Sequence, residues 1–176
     1  MTDASAPVRV LLMGMMGTGK SSVGRELSRR TGWRYVDNDE LVEIAAGIPT
    51  RDVLRQRGEP GLREAESGAL RIGLRLERPV IASVAGGVVT VPEDVAALRE
   101  SDAVVVWLTA PLEVLAERVR GTGRPWELDE DPLAKLTRLY AGREERYREL
   151  ADIVVDTTRC SPEEAAAQIV EALPVG

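Results

Sequence analysis

Between Gly14 and Ser21 the chain reads Gly-Met-Met-Gly-Thr-Gly-Lys-Ser, the pattern G-x-x-x-x-G-K-[S/T]. Few eight-residue stretches constrain a fold so narrowly, because this one works only where a strand feeds a helix through a tight turn. The glycines let successive backbone N–H groups converge on one point, and the N-terminus of the next helix adds positive potential. Both flanks fit. Val8 to Met13 is a short β-prone run, and Ser21 to Thr31 has helical spacing, with Val23 and Leu27 four apart and Gly32 as a stop. Such a loop holds phosphate. Lys20 reaches the outer phosphates of a nucleotide, and the Ser21 hydroxyl can ligate Mg²⁺. Gly17, Thr18, Gly19, Lys20, Ser21 and Ser22 are therefore the candidate ATP contacts. The chain has two lysines, Lys20 and Lys135, against a background of arginine. One of them stands where a compact ammonium is wanted.

Strand-like and helix-like stretches alternate along the rest of the chain. Strands are expected at Arg34–Val36, Pro79–Val84, Ala103–Leu108 and Ile153–Val155. Helices are expected at Glu40–Ala46, at Thr50–Leu76 with breaks near Gly47-Ile48-Pro49 and Gly58-Glu59-Pro60-Gly61, from Pro92, at Pro111–Val119, over one long stretch Leu133–Leu150, and at Ser161–Leu173. Ser161-Pro162-Glu163-Glu164 has the form of a capping box. The continuous apolarity of Ala103–Leu108 suits a central parallel strand covered on both faces. Five strands alternating with helices predict an α/β fold, a five-stranded parallel sheet with helices on both faces, as one domain over residues 1–176.

Composition removes whole classes of chemistry. With no histidine and a single cysteine, Cys160, the chain has no Ser-His-Asp triad, no histidine base and no thiolate zinc site. Cys160 reads as a solvated free thiol. A net charge of −6 argues against nucleic acid as partner, and no stretch is long and apolar enough for a membrane span. The residues before Val8 lack the basic start and apolar stretch of a secretory signal. The expectation is a cytoplasmic monomer acting on a small molecule. A chain of this size without a guanine-type N-K-x-D run points to a small-molecule kinase.

Asp37-Asn38-Asp39 follows the second strand, at the carboxyl edge where α/β sheets hold ligands. If that segment is extended, the two acids point to opposite sides and serve separate tasks; alternatively, one of them caps the helix that follows. Each arginine taken singly reads as a solvated surface residue. Their order along the chain says more. The phosphate loop G-M-M-G-T-G-K-S-S-V-G, then Y-V-D-N-D, G-E-P-G-L-R-E-A-E, A-G-G, R-P and R-E-E-R-Y together resemble the shikimate kinase family, over nearly the whole chain from Val8 to Arg159. The resemblance implies a fold related to nucleoside monophosphate kinases and transfer of the γ-phosphoryl group of ATP to a hydroxyl of shikimate. By position, Asp39 would hold the acceptor hydroxyls and take the reacting proton, and Arg63 and Arg143 would clamp the acceptor carboxylate. Gly86 and Gly87 would let the backbone approach the acceptor, and Ser21 and Asp37 would hold Mg²⁺. Arg118 and Arg159 would flank the adenine. Arg124 would close with a lid spanning about 121–131, which also carries the acids Glu127, Asp129, Glu130 and Asp131, and residues 39–76 would form the acceptor-binding helical region. The sequence departs from the family pattern at Ala85, where the family has a third glycine, at the aliphatic Leu54 and Leu62, at Glu145 and at Pro125-Trp126. These departures keep two alternatives open: a kinase of another small hydroxylated acid such as gluconate, and a nucleotide-binding module that transfers nothing.

Overall fold

The computed structural model describes residues 8–120 and 131–174. Five strands form one parallel sheet: β1 (Arg9–Met13), β2 (Arg34–Val36), β3 (Val80–Ser83), β4 (Val104–Thr109) and β5 (Ile153–Asp156), in the spatial order β2-β3-β1-β4-β5. The register aligns Leu11 with Ala82 on one side and with Val105 on the other. β1 is buried along its whole length because it has strands on both sides and helices on both faces. Its side chains alternate between two apolar layers. Val10 and Leu12 join Val23, Leu27 and Ile169 from α1 (Lys20–Thr31) and α8 (Pro162–Ala172). Leu11 and Met13 face the opposite layer, built by α2 (Asn38–Ala46), α3 (Thr50–Gly73), α4 (Pro92–Glu100), α5 (Leu112–Arg120), α6 (Pro132–Tyr140) and α7 (Glu144–Leu150). With phenylalanine absent, Trp107 and Tyr147 supply the aromatic mass of that layer, stacked with centroids 5.6 Å apart.

Several boundaries follow the local signals. Gly58 takes φ 65°, ψ −170° inside α3, so the break expected around residues 58–61 falls at a glycine, which adopts that backbone without a Cβ penalty. The capping box at Ser161 forms in full: its side chain accepts from the Glu164 N–H, and the Glu164 carboxylate accepts from the Ser161 N–H.

Two expectations fail, and one of two open readings is decided. The long helix Leu133–Leu150 is two helices, because Gly142 adopts φ 80° and ends α6. Arg143 is consequently the N-cap of α7 and not a mid-helix residue. The segment Asp37–Asp39 is not extended throughout, since α2 begins at Asn38 and Asp37 caps it, accepting the Asp39 N–H. Finally, Cys160 is half-buried and packs against the α1–α8 layer. Its thiol donates to the Asp156 carbonyl, and burial pushes its pKa up.

Candidate active site

Because all five strands are parallel, the connections leaving β1, β2 and β3 emerge at one edge of the sheet. The loop after β1 ends at α1, whose first turn has no side-chain cap and no acidic residue. A 12-residue helix left in this way offers its unsatisfied N–H groups and positive dipole end to an anion. The Lys20 ammonium folds over the loop and donates to the carbonyls of Gly14 (2.8 Å) and Met15 (3.1 Å). Thr18 is buried, donates to Met15 O, and accepts at its own carbonyl from Thr157 at the end of β5. Arg118 lies across the loop, donating to Gly17 O, Thr157 Oγ1 and Thr157 O. Gly17, Thr18, Gly19, Ser22 and Arg118 line a cavity of about 260 Å³. The exposed Arg159 lines an adjoining groove with Asp156, Glu164 and Gln168, and Cys160 borders both spaces.

Asp37 stands at the boundary between the loop and the acceptor side. Its Oδ2 accepts from Ser21 Oγ at 2.6 Å and from the Tyr35 hydroxyl at 2.9 Å, and its Oδ1 accepts the Asp39 N–H. Burial pushes the Asp37 carboxyl pKa up, but these hydrogen bonds and the nearby Arg25 outweigh it, so the net shift is downward. The same burial, with the carboxylate alongside, holds the Tyr35 phenol well above its usual range. A serine hydroxyl and a carboxylate 2.6 Å apart form a pair of hard oxygen donors that fits Mg²⁺. Among the described residues no cluster of three or more metal-ligating side chains occurs.

The acceptor side is assembled from the far half of α3, the turn after β3 and the start of α7. Arg63 pairs with Glu66 at 2.8 Å and lies directly over Gly87, where a Cβ would sit 2.2 Å from its Nη1. A side chain at position 87 would displace the guanidinium from this place. Gly86 opens a 3-10 turn (Gly86–Thr90), and its carbonyl accepts the Tyr147 hydroxyl at 2.7 Å. Burial pushes the Tyr147 phenol up to about 12, against the opposing effect of Arg143. Arg143 is 6% exposed and approaches Met15 Sδ at 3.8 Å, a weak acceptor. No carboxylate among the described residues comes within ion-pair distance of it. A buried guanidinium in that condition is costly unless an anion completes it.

The sequence-predicted residues thus divide cleanly. Gly17, Thr18, Gly19, Lys20, Ser21, Ser22 and Arg118 meet around the loop. Asp37 and Asp39 share the N-terminus of α2, where residues two apart are turned by about 200° and still face different ways. Arg63, Gly86, Gly87 and Arg143 meet on the acceptor side. Arg124, Pro125-Trp126 and the expected lid at 121–131, apart from Asp131, lie outside the described residues. Asp131 caps α6 and pairs with Arg120. Ala85 does not crowd the turn, because its backbone is ordinary extended (φ −62°, ψ 141°) and its side chain packs into the core. Tyr35, Ser83, Tyr147 and Thr157 carry contacts that the sequence reading had not assigned. Tyr35 and Tyr147 nevertheless stood at telling offsets, two residues from Asp37 on a strand and four from Arg143 on a helix.

A family model described as shikimate kinase matches residues 16–174. The chain is 41% identical over 169 residues to the shikimate kinase of Geobacter metallireducens, covering 95% of this chain and 93% of that one. It is 39% identical over 153 residues to the shikimate kinase of Neisseria gonorrhoeae, covering 86% and 89% respectively. Among solved structures, a shikimate kinase from Acinetobacter baumannii in complex with shikimate superposes with a TM-score of 0.82 at 29% identity, covering 94% of this chain and 91% of that one. A gluconokinase from Sinorhizobium meliloti, with a TM-score of 0.59 at 24% identity and 95% and 91% coverage, shares the fold. With matches this extensive in sequence and structure, the chain belongs to the shikimate kinase family.

Proposed function

We propose that this protein transfers the γ-phosphoryl group of ATP to a hydroxyl of shikimate, giving shikimate 3-phosphate. The observation that carries the acceptor assignment is the buried Arg143, which has no carboxylate partner among the described residues, across a turn of bare backbone from Arg63. Two guanidiniums at such a turn suit a small acid whose carboxylate they bind while its hydroxyls face the phosphate loop.

In this reading the phosphate loop and the N-terminus of α1 hold the nucleotide phosphates. Lys20 leaves its carbonyl partners to follow the transferring group, where its charge neutralises the developing charge. Gly17, Thr18, Gly19, Ser21 and Ser22 bind through the loop, and Arg118 and Arg159 border the base. Ser21 and Asp37 hold Mg²⁺, which supplies charge neutralisation at the phosphate oxygens. Asp39 faces the acceptor hydroxyl, orients it and accepts its proton as the oxygen attacks. Arg63 and Arg143 fix the acceptor carboxylate, and Gly86 and Gly87 admit the ring against the backbone. Arg124 supplies positive charge to the transferring group in this reading. The reaction needs positioning and charge neutralisation, which explains how a chain without histidine can carry it out. The protein acts as a monomer.

The test is ADP release from Mg·ATP with and without shikimate, with Lys20→Ala as blank. Turnover should depend on shikimate and vanish in the blank. Arg143→Met should raise KM for shikimate by about tenfold or more, the loss of one charge-assisted contact. Equal turnover on gluconate, or none on shikimate, would overturn the assignment.

A further inference from the structure

Four side chains and one backbone amide between the phosphate loop and the acceptor turn form a single run of hydrogen bonds whose proton directions are all determined. Ser21 Oγ donates to Asp37 Oδ2 at 2.6 Å, and the Tyr35 hydroxyl donates to the same oxygen at 2.9 Å. A phenol has one proton, and Tyr35 uses it on the carboxylate. At the 2.9 Å contact between Tyr35 and Ser83 Oγ, the serine is therefore the donor. Ser83 Oγ in turn accepts the Asn38 N–H at 3.0 Å, one of the amides that the start of α2 leaves unsatisfied.

The run is held in place sterically as well. The Tyr35 ring lies on α1 at Gly24, where a Cβ would come within 2.2 Å of its Cε2. Its hydroxyl lies between Asp37 and Ser83. Ser83 ends β3, and the turn that begins at Gly86 follows three residues later.

We infer that Tyr35 is a positioning residue for phosphoryl transfer: its hydroxyl aims the Asp37 carboxylate at Ser21 and ties that pair to the strand carrying the acceptor turn. The inference rests on the reading that Ser21 and Asp37 hold Mg²⁺. Outer partners of metal ligands act in this way, orienting a carboxylate that would otherwise sample several rotamers. The Tyr35 hydroxyl is engaged by Asp37 and Ser83, so its effect belongs to the metal-dependent part of nucleotide binding.

Calorimetric titration of ADP into the protein, once with Mg²⁺ and once in EDTA, isolates that part. In Tyr35→Phe the ring and its seat on Gly24 remain and the hydroxyl is lost. Its Mg²⁺-free affinity should stay within about twofold of the parent's, since the loop, Lys20 and Arg118 are untouched, while the Mg²⁺-dependent gain should shrink about tenfold. Ser83→Ala, which leaves the Tyr35–Asp37 contact but removes its support, should lose part of the gain, about two- to fivefold. A general loosening of the sheet would lower both affinities and leave their ratio unchanged. If Tyr35→Phe retains the parent's ratio, the role of Tyr35 is refuted; if that variant does not fold, an unchanged ratio in Ser83→Ala refutes it. A parent protein whose ADP affinity ignores Mg²⁺ overturns the metal assignment itself.

Discussion

Gly24 looks from the sequence like a place to stabilise the protein. It lies in the middle of α1, where replacing glycine by alanine ordinarily contributes about 0.5–1 kcal/mol through backbone entropy. The structure reverses the sign. An alanine Cβ at position 24 would stand 2.2, 2.6 and 2.8 Å from Cε2, Cζ and Cδ2 of Tyr35, a whole ring edge and not one movable atom. The ring cannot simply swing aside, because its hydroxyl is fixed between Asp37 and Ser83. Overpacking of this kind costs about 1–3 kcal/mol. Set against the helical gain, the net expectation for Gly24→Ala is a loss of about 1–2 kcal/mol. For a chain of this size that is a fall in Tm of about 3–6 °C. Calorimetric unfolding of four proteins tests the cause as well as the size: parent, Gly24→Ala, Tyr35→Ala and the double variant. With the ring gone the clash disappears, so in the Tyr35→Ala background Gly24→Ala should become stabilising, raising Tm by about 1–3 °C. The pair would then show a coupling of opposite signs. A rise in Tm for Gly24→Ala alone, or the same loss in both backgrounds, would refute the reasoning.

Tyr147→Phe keeps the stacking on Trp107 but strands the Gly86 carbonyl, so stability should fall by about 1–3 kcal/mol. Acceptor KM should rise while ADP affinity measured calorimetrically stays constant, a split that distinguishes the turn from the loop. Arg118→Ala should raise KM for ATP about tenfold or more and leave the acceptor KM unchanged in steady-state assays, because the side chain spans Gly17 and Thr157 on the nucleotide side. Asp102, two residues before β4, is held below its ordinary pKa of 3.8 by hydrogen bonding to Arg78. A depressed carboxylate stabilises the fold above its unfolded pKa and stops doing so as pH falls through its folded value. The Tm difference between parent and Asp102→Asn should therefore be flat above about pH 5 and shrink below 3.8; a difference that grows on acidification would contradict the pairing.

How far the sequence alone could be read depends on whether each signal is local. The phosphate loop carries its own geometry in its glycines and needs only a strand before it and a helix after it. Its place between β1 and α1 could therefore be read from the sequence. The capping box at Ser161 and the break at Gly58 are equally self-contained. Gly142 was ambiguous for the opposite reason: a lone glycine among helix formers is tolerated at modest cost, and only its left-handed backbone reveals that α6 ends there. The arginines illustrate the limit most directly. Arg63 and Arg99 look alike in sequence, and what separates them is a bare glycine under one and an exposed glutamate beside the other. Both neighbours are far away in the chain.

The least legible feature was the division of labour between the two acids after β2. An extended Asp-Asn-Asp would leave both free for chemistry, whereas the first turn of α2 assigns Asp37 a structural bond to the Asp39 amide in addition to its contact with Ser21. Helix capping and metal holding are usually weighed as rival explanations for such a residue. Here they are compatible, because the cap uses Oδ1 and leaves Oδ2 for Ser21 and Tyr35. The cap also fixes the carboxylate plane, which a metal ligand requires. In the reading proposed above, Asp39, placed a little over half a turn further round the helix, is the acid assigned to the acceptor.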